Sequence, residues 1–484
     1  MIRSARNRTG AGRRAPWSGR ASACGPSWGA LCRQPAREAG TRSRIRPGSG
    51  TNGVVMPVSQ RCARFSDLAA HLTPQFAMID HRAREARSVL RSWARINSGS
   101  FNLAGLEEMG RCVEDRLREW TGAHARRVAT KPVGILGDDG RIEEVKLADM
   151  LHLAWRPERR RRILLLGHLD TVFGPEDPFQ DVRELDENRW NGPGVADMKG
   201  GILVMALALA AFVDSPFADA IGWDVLLNGD EEIGSPASAP LFADFAQRAR
   251  LGLVFEPALD AHRLAGARKG SANIHYRITG RSAHAGREFE KGRNALVAAA
   301  DLALRLDGLN GRRAGVTVNP AVLHAGEALN RVPERAVLRV NIRVPDAEAQ
   351  AWVEDELAAI ERAIAARDGI ALKRLGGFHR PPKPSAPPLE NLFAAVTEAG
   401  RALGLDLAFV PTGGCCDGNN LWAAGLPNVD TLGVVGGAIH SDEEWIHLPS
   451  LAERAKLTLL IMAGFATGLI DPQAGRRAAA GAAG

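Results

Sequence analysis

Four short stretches carry side chains able to do chemistry. The first, Leu164-Leu165-Leu166-Gly167-His168-Leu169-Asp170-Thr171-Val172, joins an apolar run to a His and an Asp two positions apart. Such a run reads as a strand covered on both faces. Alternate strand residues point the same way, so His168 and Asp170 should project together at the strand's carboxyl end, where open α/β sheets place their ligands. An imidazole beside a carboxylate is the arrangement of a metal ligand held in one tautomer; a surface His near a turn is the plain alternative. The second stretch, Asn191-Gly192-Pro193-Gly194-Val195-Ala196-Asp197-Met198-Lys199-Gly200-Gly201, leads into an apolar helix expected over about 202–212. Its spacing matches neither phosphate-binding glycine motif, which leaves Asp197 as a cation ligand at a tight turn or as a helix cap. Third, a strand expected over 223–228 delivers Asp230-Glu231-Glu232. Three adjacent acids cannot all stay ionised side by side without solvent or a compensating charge. Fourth, a helix over 236–249 and a strand over 252–255 end at Glu256-Pro257. The pattern of strand, ligand-type side chain and helix thus recurs at His168, Asp197, Glu231/Glu232 and Glu256, which makes coincidence a poor explanation.

A chain of 484 residues, 45% hydrophobic and 24% charged, is long enough for two or three domains with a sizeable core. Its formal charge of +7 suggests a nucleic-acid or membrane partner until the charge is located. Residues 1–55 hold eleven Arg and one acid, Glu38, so the leader carries +10 and the remainder −3. The leader lacks an apolar signal segment; it is acid-poor like a transit peptide, but reads better as disordered or as an extension ahead of Met56. No stretch reaches about 18 consecutive apolar residues, so no transmembrane helix is predicted. Six cysteines at 24, 32, 62, 112, 415 and 416 show neither zinc-type CxxC spacing nor disulfide density, which points to a reducing, cytoplasmic compartment. The elements ahead of the first motif are an amphipathic helix over 66–96, a turn cluster at Asn97–Ser100, a helix over 105–120 and β-like sequence over 126–155. The basic run Arg156–Arg162 reads as a solvated loop rather than a phosphate or nucleic-acid site, since no aromatics interleave.

GHLDTV, GPGVADMKGG, DEEIGS and FEP in this order, with Ala-Ile-His440-Ser-Asp near the end, resemble the co-catalytic di-zinc metallopeptidase and aminoacylase family. Its members include glutamate carboxypeptidase, acetylornithine deacetylase and succinyl-diaminopimelate desuccinylase, and the similarity to the glutamate-carboxypeptidase-like branch is the greater. The resemblance covers about residues 66–470. It implies an α/β fold: a zinc-aminopeptidase-like mixed sheet flanked by helices, with an inserted ferredoxin-like α+β lid and dimerisation domain. It also implies two Zn²⁺, with Co²⁺ or Mn²⁺ as substitutes. Asp197 would bridge them, His168 and Glu256 would complete one metal, and Glu232 and His440 the other; imidazole and carboxylate donors suit Zn²⁺. A hydroxide shared by the metals would attack the amide, Glu231 would be the general base, Asp170 would orient His168, and a cis peptide would follow Asp197.

From about Gly270 the pattern becomes β-α-β-β-α-β, a ferredoxin-like order. The expected division is a leader over 1–65, catalytic parts over 66–269 and 377–472, a lid over 270–376 between them, and a tail over 473–484. By resemblance the lid pairs two subunits into a homodimer, and His284, in Gly280-Arg281-Ser282-Ala283-His284-Ala285-Gly286, would stabilise the oxyanion in the partner's site. Asn330 and Arg343, assisted by Arg380, match positions that bind a substrate carboxylate, the natural partner of a guanidinium fork; Arg343 as a strand-face ion pair is the alternative. Gly414 lies in Thr412-Gly413-Gly414-Cys415-Cys416-Asp417, whose backbone could meet a carboxylate at a helix start. Relatives usually carry Ser, Thr or Gly where Cys415 and Cys416 stand, and no His follows at a spacing that would make either a nucleophile. The resulting expectation is a metal-dependent hydrolase of an amide or peptide bond next to a free carboxylate: an N-acyl amino acid, a dipeptide or a C-terminal glutamate substrate. A biosynthetic deacylase or desuccinylase and a non-catalytic metal-binding homologue are the alternatives. Neither nucleic acid nor membrane is expected as a partner.

Overall fold

Alternate residues of the strand Arg162–His168 face two different cores. Ile163 and Leu165 pack with the helices Thr73–Ala94, Leu103–Thr121, Lys199–Val213 and Ser450–Thr467, whereas Leu164 and Leu166 pack with Phe242, Phe245 and Leu421 on the other side. This is the burial on both faces that the unbroken apolar run requires. The computed structural model describes residues 63–472; the greater part of the expected leader and the expected tail lie outside them. Six strands form the main sheet, in the order His124–Val128, Met150–Trp155, Gly222–Asn228, Arg162–His168, Leu251–Val254 and Asn428–Val429. The last four run parallel and the first two pairings are antiparallel, so the sheet is mixed and flanked by helices. Arg162–His168 lies between Gly222–Asn228 and Leu251–Val254. Three carboxyl ends therefore open side by side.

The helix Lys199–Val213 is buried from Lys199 to Phe212 and sits beneath those ends. Its tight seating explains the glycine pair of the second motif: a Cβ at Gly201 would come 2.1 Å from the carbonyl oxygen of Phe255, immediately before Glu256. The amphipathic helix expected over 66–96 is two helices, Phe65–His71 and Thr73–Ala94. Pro74 falls in the first turn of the second, where a missing N–H is harmless, and cannot extend the first.

A second sheet lies between the two parts of the catalytic sequence. Its order is Thr317–Ala325, Arg335–Val344, Gly270–Thr279 and Ala371–Arg380, all antiparallel. The helices Ala295–Asp307 and Ala347–Ala365 share a separate apolar core with it. Its last strand runs to Arg380, beyond the expected end at 376. A small hairpin, Val133–Leu136 with Ile142–Val145, reaches this sheet from the catalytic side: Arg339 ion-pairs with Asp138 and donates to the Leu136 carbonyl at 2.9 Å. No described helix is long and apolar enough to cross a membrane.

The basic run before the central strand is not wholly solvated. Arg162 is buried and donates through Nε to Asp224 Oδ2 at 2.8 Å, while His152 Nε2 contacts Asp224 Oδ1 at 2.9 Å. Burial pushes the Asp224 carboxyl up, but His152 and Arg162 outweigh it and leave the group below its ordinary range. A depressed carboxyl contributes stability above its unfolded pKa and loses it as pH falls through the folded value. Asp224→Asn should therefore cost about 3 kcal/mol or more at pH 7, by urea denaturation, and the difference from wild type should shrink below about pH 4.

Candidate metal centre

Each carboxyl end of the three adjacent parallel strands places one or two polar side chains in the same space. His168 ends its strand, Glu231 and Glu232 follow Gly222–Asn228, and Glu256 follows Leu251–Val254. Asp197 enters from the glycine-rich loop and His440 from the loop preceding Trp445–His447. His168 Nε2 lies 3.2 Å from Asp197 Oδ1 and 3.8 Å from Glu256 Oε2. His440 Nε2 lies 3.3 Å from Asp197 Oδ2 and 3.1 Å from Glu232 Oε2. The two oxygens of Asp197 thus face two separate imidazole–carboxylate pairs. Ligand atoms of His168, Asp197 and Glu232 fall within 4.8 Å of one another.

Backbone and neighbouring groups fix these side chains. His168 Nδ1 is 2.9 Å from the carbonyl oxygen of Asp170. A carbonyl can only accept, so Nδ1 carries the proton and Nε2 is aimed at Asp197. The Asp170 carboxylate is farther away, 3.4 Å from Nδ1. It accepts instead from Ser100 Oγ at 2.8 Å and from the amides of Glu231 and Glu232 at 3.2 and 3.1 Å, organising the acidic turn. The peptide between Asp197 and Met198 is cis. His440 has φ = 63°, a region sparsely populated by side-chain-bearing residues and frequent at functional sites. Asp230 turns away from its two neighbours and accepts from the amides of Ala237 and Ser238, so the three consecutive acids have separate fates.

Electrostatics show what this arrangement demands. Burial pushes Glu232 up to about 7 and also raises Glu231 and Glu256. Burial opposes a proton on His168, yet the surrounding carboxylates hold it well above its ordinary value; hydrogen bonds to Asp197 and Glu232 push His440 up to about 10. Burial acts upward on Asp197 too, but the two imidazoles hold it below the usual carboxylate range. So many carboxylates out of water call for cations. Glu256 Oε1 is buried without a hydrogen-bond partner, and the donor set of imidazole and carboxylate is that of Zn²⁺ sites. These residues fit a pair of divalent cations.

The remaining candidates divide. Arg380 is buried with its guanidinium engaged by protein carboxylates: it contacts Glu231 Oε1 at 2.6 Å and also pairs with Asp417. That placement departs from the expected substrate-facing fork and makes Arg380 a clamp on Glu231. Arg343 is half-buried, its Nη1 2.9 Å from Cys415 Sγ and its Nε 3.1 Å from Asn341 Oδ1, and it makes no ion pair with the described residues. Gly414 is exposed, its amide donating to Thr412 Oγ1. His284 and Asn330 are exposed together at one corner of the inserted sheet, where the Ala285 amide donates to the Asn330 carbonyl at 2.9 Å and His284 bridges to Arg331. Their described contacts do not reach the acidic cluster. Sequence reasoning missed Glu444, four residues after His440. Its carboxylate accepts from the amides of Gly194, Ala196 and Asp197 at 2.9–3.0 Å and ties the two loops together. The available signal was a second acid pair, Glu443-Glu444, just past the His440 motif.

A mixed sheet with paired imidazole–carboxylate groups at adjoining carboxyl ends defines a metallohydrolase. Residues 164–463 match the model of peptidase family M20/M25/M40, and the chain belongs to that family. It is 27% identical over 370 residues to carboxypeptidase G2 of Pseudomonas sp. (strain RS-16), covering 75% of this chain and 85% of that one. With the succinyl-diaminopimelate desuccinylase of Gluconobacter oxydans (strain 621H) it shares 28% identity over 323 residues, 62% of this chain and 80% of the relative. Among solved structures, an M20 family metallo-carboxypeptidase from Sulfolobus solfataricus superposes with a TM-score of 0.60 at 15% identity, covering 79% of this chain and 99% of the other, which shows the shared fold. The protein is a metal-dependent hydrolase of amide or peptide bonds.

Glu444→Ala should loosen the Asp197 loop while leaving the cores intact. Metal affinity by calorimetric titration should fall about 10- to 100-fold, with an unchanged far-UV circular dichroism spectrum.

Proposed function

We propose that this protein is a di-zinc amidohydrolase or peptidase that cleaves an amide next to a free carboxylate. The sharing of Asp197 between two imidazole–carboxylate pairs carries the reading. His168, Glu256 and one oxygen of Asp197 would hold one Zn²⁺; His440, Glu232 and the other oxygen would hold the second. Such a pair supplies an activated water at neutral pH and polarises the scissile carbonyl. Glu231 then acts as general base, accepting the proton of the attacking water and returning it to the departing amine nitrogen. Arg380 holds Glu231 in place from behind, and Asp170 fixes both the imidazole of His168 and the turn that carries the two glutamates. Arg343, with a charge unmatched by any described carboxylate, is the group best placed to receive the substrate's carboxylate, with Asn330 and the Gly414 backbone as further contacts.

We also propose a homodimer formed through the inserted domain. The helix Ala295–Asp307 exposes Leu296, Val297 and Leu304, and the edge strand beside it exposes Leu323. An apolar helix face next to an open strand edge is a self-complementary surface. It would let the His284 and Asn330 corner of one subunit serve the other's active site.

Two experiments test these readings. Glu231→Gln should retain two bound metals by elemental analysis while kcat on a panel of N-acyl amino acids and dipeptides falls by about 10²–10⁴; turnover near wild type would remove Glu231 from the mechanism. Val297→Glu combined with Leu304→Glu should give a monomer by light scattering, with activity reduced at least about tenfold if His284 acts in trans.

A further inference from the structure

A cavity of about 900 Å³ lies between the hairpin, the catalytic rim and the face of the inserted sheet turned away from its helices. Val133 and Ile135 line it from the hairpin, Leu375 and Phe378 from the last strand, and Phe101 and Ile233 from the rim. Phe101 and Ile233 also line a smaller cavity of about 300 Å³ that includes Thr171 and Glu232. Two side chains are therefore common to the large cavity and to the smaller one that Glu232 lines. Phe101 follows Ser100, which donates to Asp170, and Ile233 follows Glu232, whose amide donates to the same carboxylate, so the backbone that carries both is the one that builds the site.

Charge is sparse in this lining. Arg339, the one formally charged residue of the lining, is paired with Asp138 and the Leu136 carbonyl. His275 and His379 are held below their ordinary values by burial, so both rings are neutral at pH 7. Gly376 and Gly377 lie in the same wall, and no atom lies within 4 Å of the place a Cβ at Gly377 would occupy. The polar lining residues are largely engaged with one another: Asn341 Nδ2 donates to Asn273 Oδ1 at 2.7 Å and His379 Nε2 lies 3.2 Å from the Asn273 carbonyl, while His275 Nδ1 is buried without a partner.

We infer that this cavity receives the acyl half of the substrate and selects a bulky, uncharged acyl group, a medium-length alkyl chain or an aryl ring, over acetyl or succinyl. The inference rests on the amide-hydrolase reading above and narrows its substrate class. A small acetyl group would leave most of such a volume unfilled, and a succinyl carboxylate would meet no free cation there. Pockets of this size commonly hold a ligand fragment of many heavy atoms. Each methylene moved from water into an apolar site favours binding by roughly fourfold at most.

The test uses the full-length, zinc-loaded enzyme and N-acyl derivatives of one amino acid, with acyl chains from two to twelve carbons plus succinyl and benzoyl members. Binding is measured by calorimetry on Glu231→Gln and kcat/KM on the active enzyme. Affinity should rise at least 30-fold from acetyl to decanoyl, with succinyl weakest. In Ile135→Trp and Leu375→Trp, which narrow the cavity from opposite walls, the decanoyl-to-acetyl ratio should fall at least tenfold; melting temperature identifies any variant that fails to fold. Acetyl or succinyl bound as well as decanoyl, or ratios unchanged in both folded Trp variants, would overturn the inference and leave the hydrolase reading intact. Chain-length-dependent binding without hydrolysis of any member would support the cavity and count against the hydrolase reading.

Discussion

One carboxylate, that of Asp197, faces two imidazoles that enter from distant parts of the chain. Its position is over-determined. Its own amide and two before it are gathered by Glu444, the following residue caps a helix buried along nearly its whole length, and that helix is seated so tightly that only glycine fits beneath Phe255. If Asp197 moved by an ångström, both imidazole–carboxylate pairs would lose their common member at once. The packing of the central sheet and its first helix layer is therefore also the geometry of the imidazole–carboxylate cluster.

A second constraint runs between the two sheets. Arg380 stands at the end of the last strand of the inserted sheet, yet its guanidinium lies between Glu231 and Asp417 of the catalytic part. Paired charges out of water hold well only when their geometry is good and their hydrogen bonds are satisfied, and Arg380 has both carboxylates and the Glu231 carbonyl as acceptors. A residue of the inserted sheet thus sets where the Glu231 carboxylate sits. The hairpin gives a second tie through Arg339 and Asp138, and the space left between these two ties is the large apolar cavity.

Four motifs, three at strand ends and one in the glycine-rich loop, were legible because each combines a local backbone signal with a chemically distinctive side chain. Apolar runs gave the strands, Gly201 and its neighbours gave the loop and helix, and His, Asp and Glu at the ends gave the chemistry. The β-α-β-β-α-β order was legible for the same reason, since periodicity switches between two and 3.6 along it. Other features left no local trace. Nothing near Arg162 says that Asp224 and His152 will bury it, because that pairing is between strands. Nothing near Arg380 says that its partners are carboxylates of the protein rather than of a ligand. The break at Leu72 was in view in Pro74, but amphipathic pattern continued through it and masked the boundary.

The sequence by itself determined the ligand-type residues, their order and the family they belong to, since side-chain chemistry and strand or helix period are properties of short segments. Tertiary structure alone decided which oxygen faces which imidazole, that Glu444 anchors the Asp197 loop, that Asp170 meets His168 mainly through its carbonyl, and that a wide, mainly apolar cavity shares Phe101 and Ile233 with the smaller one lined by Glu232. Those outcomes depend on distances between residues far apart in the chain, and such distances are fixed only when the sheets, helices and loops pack against one another.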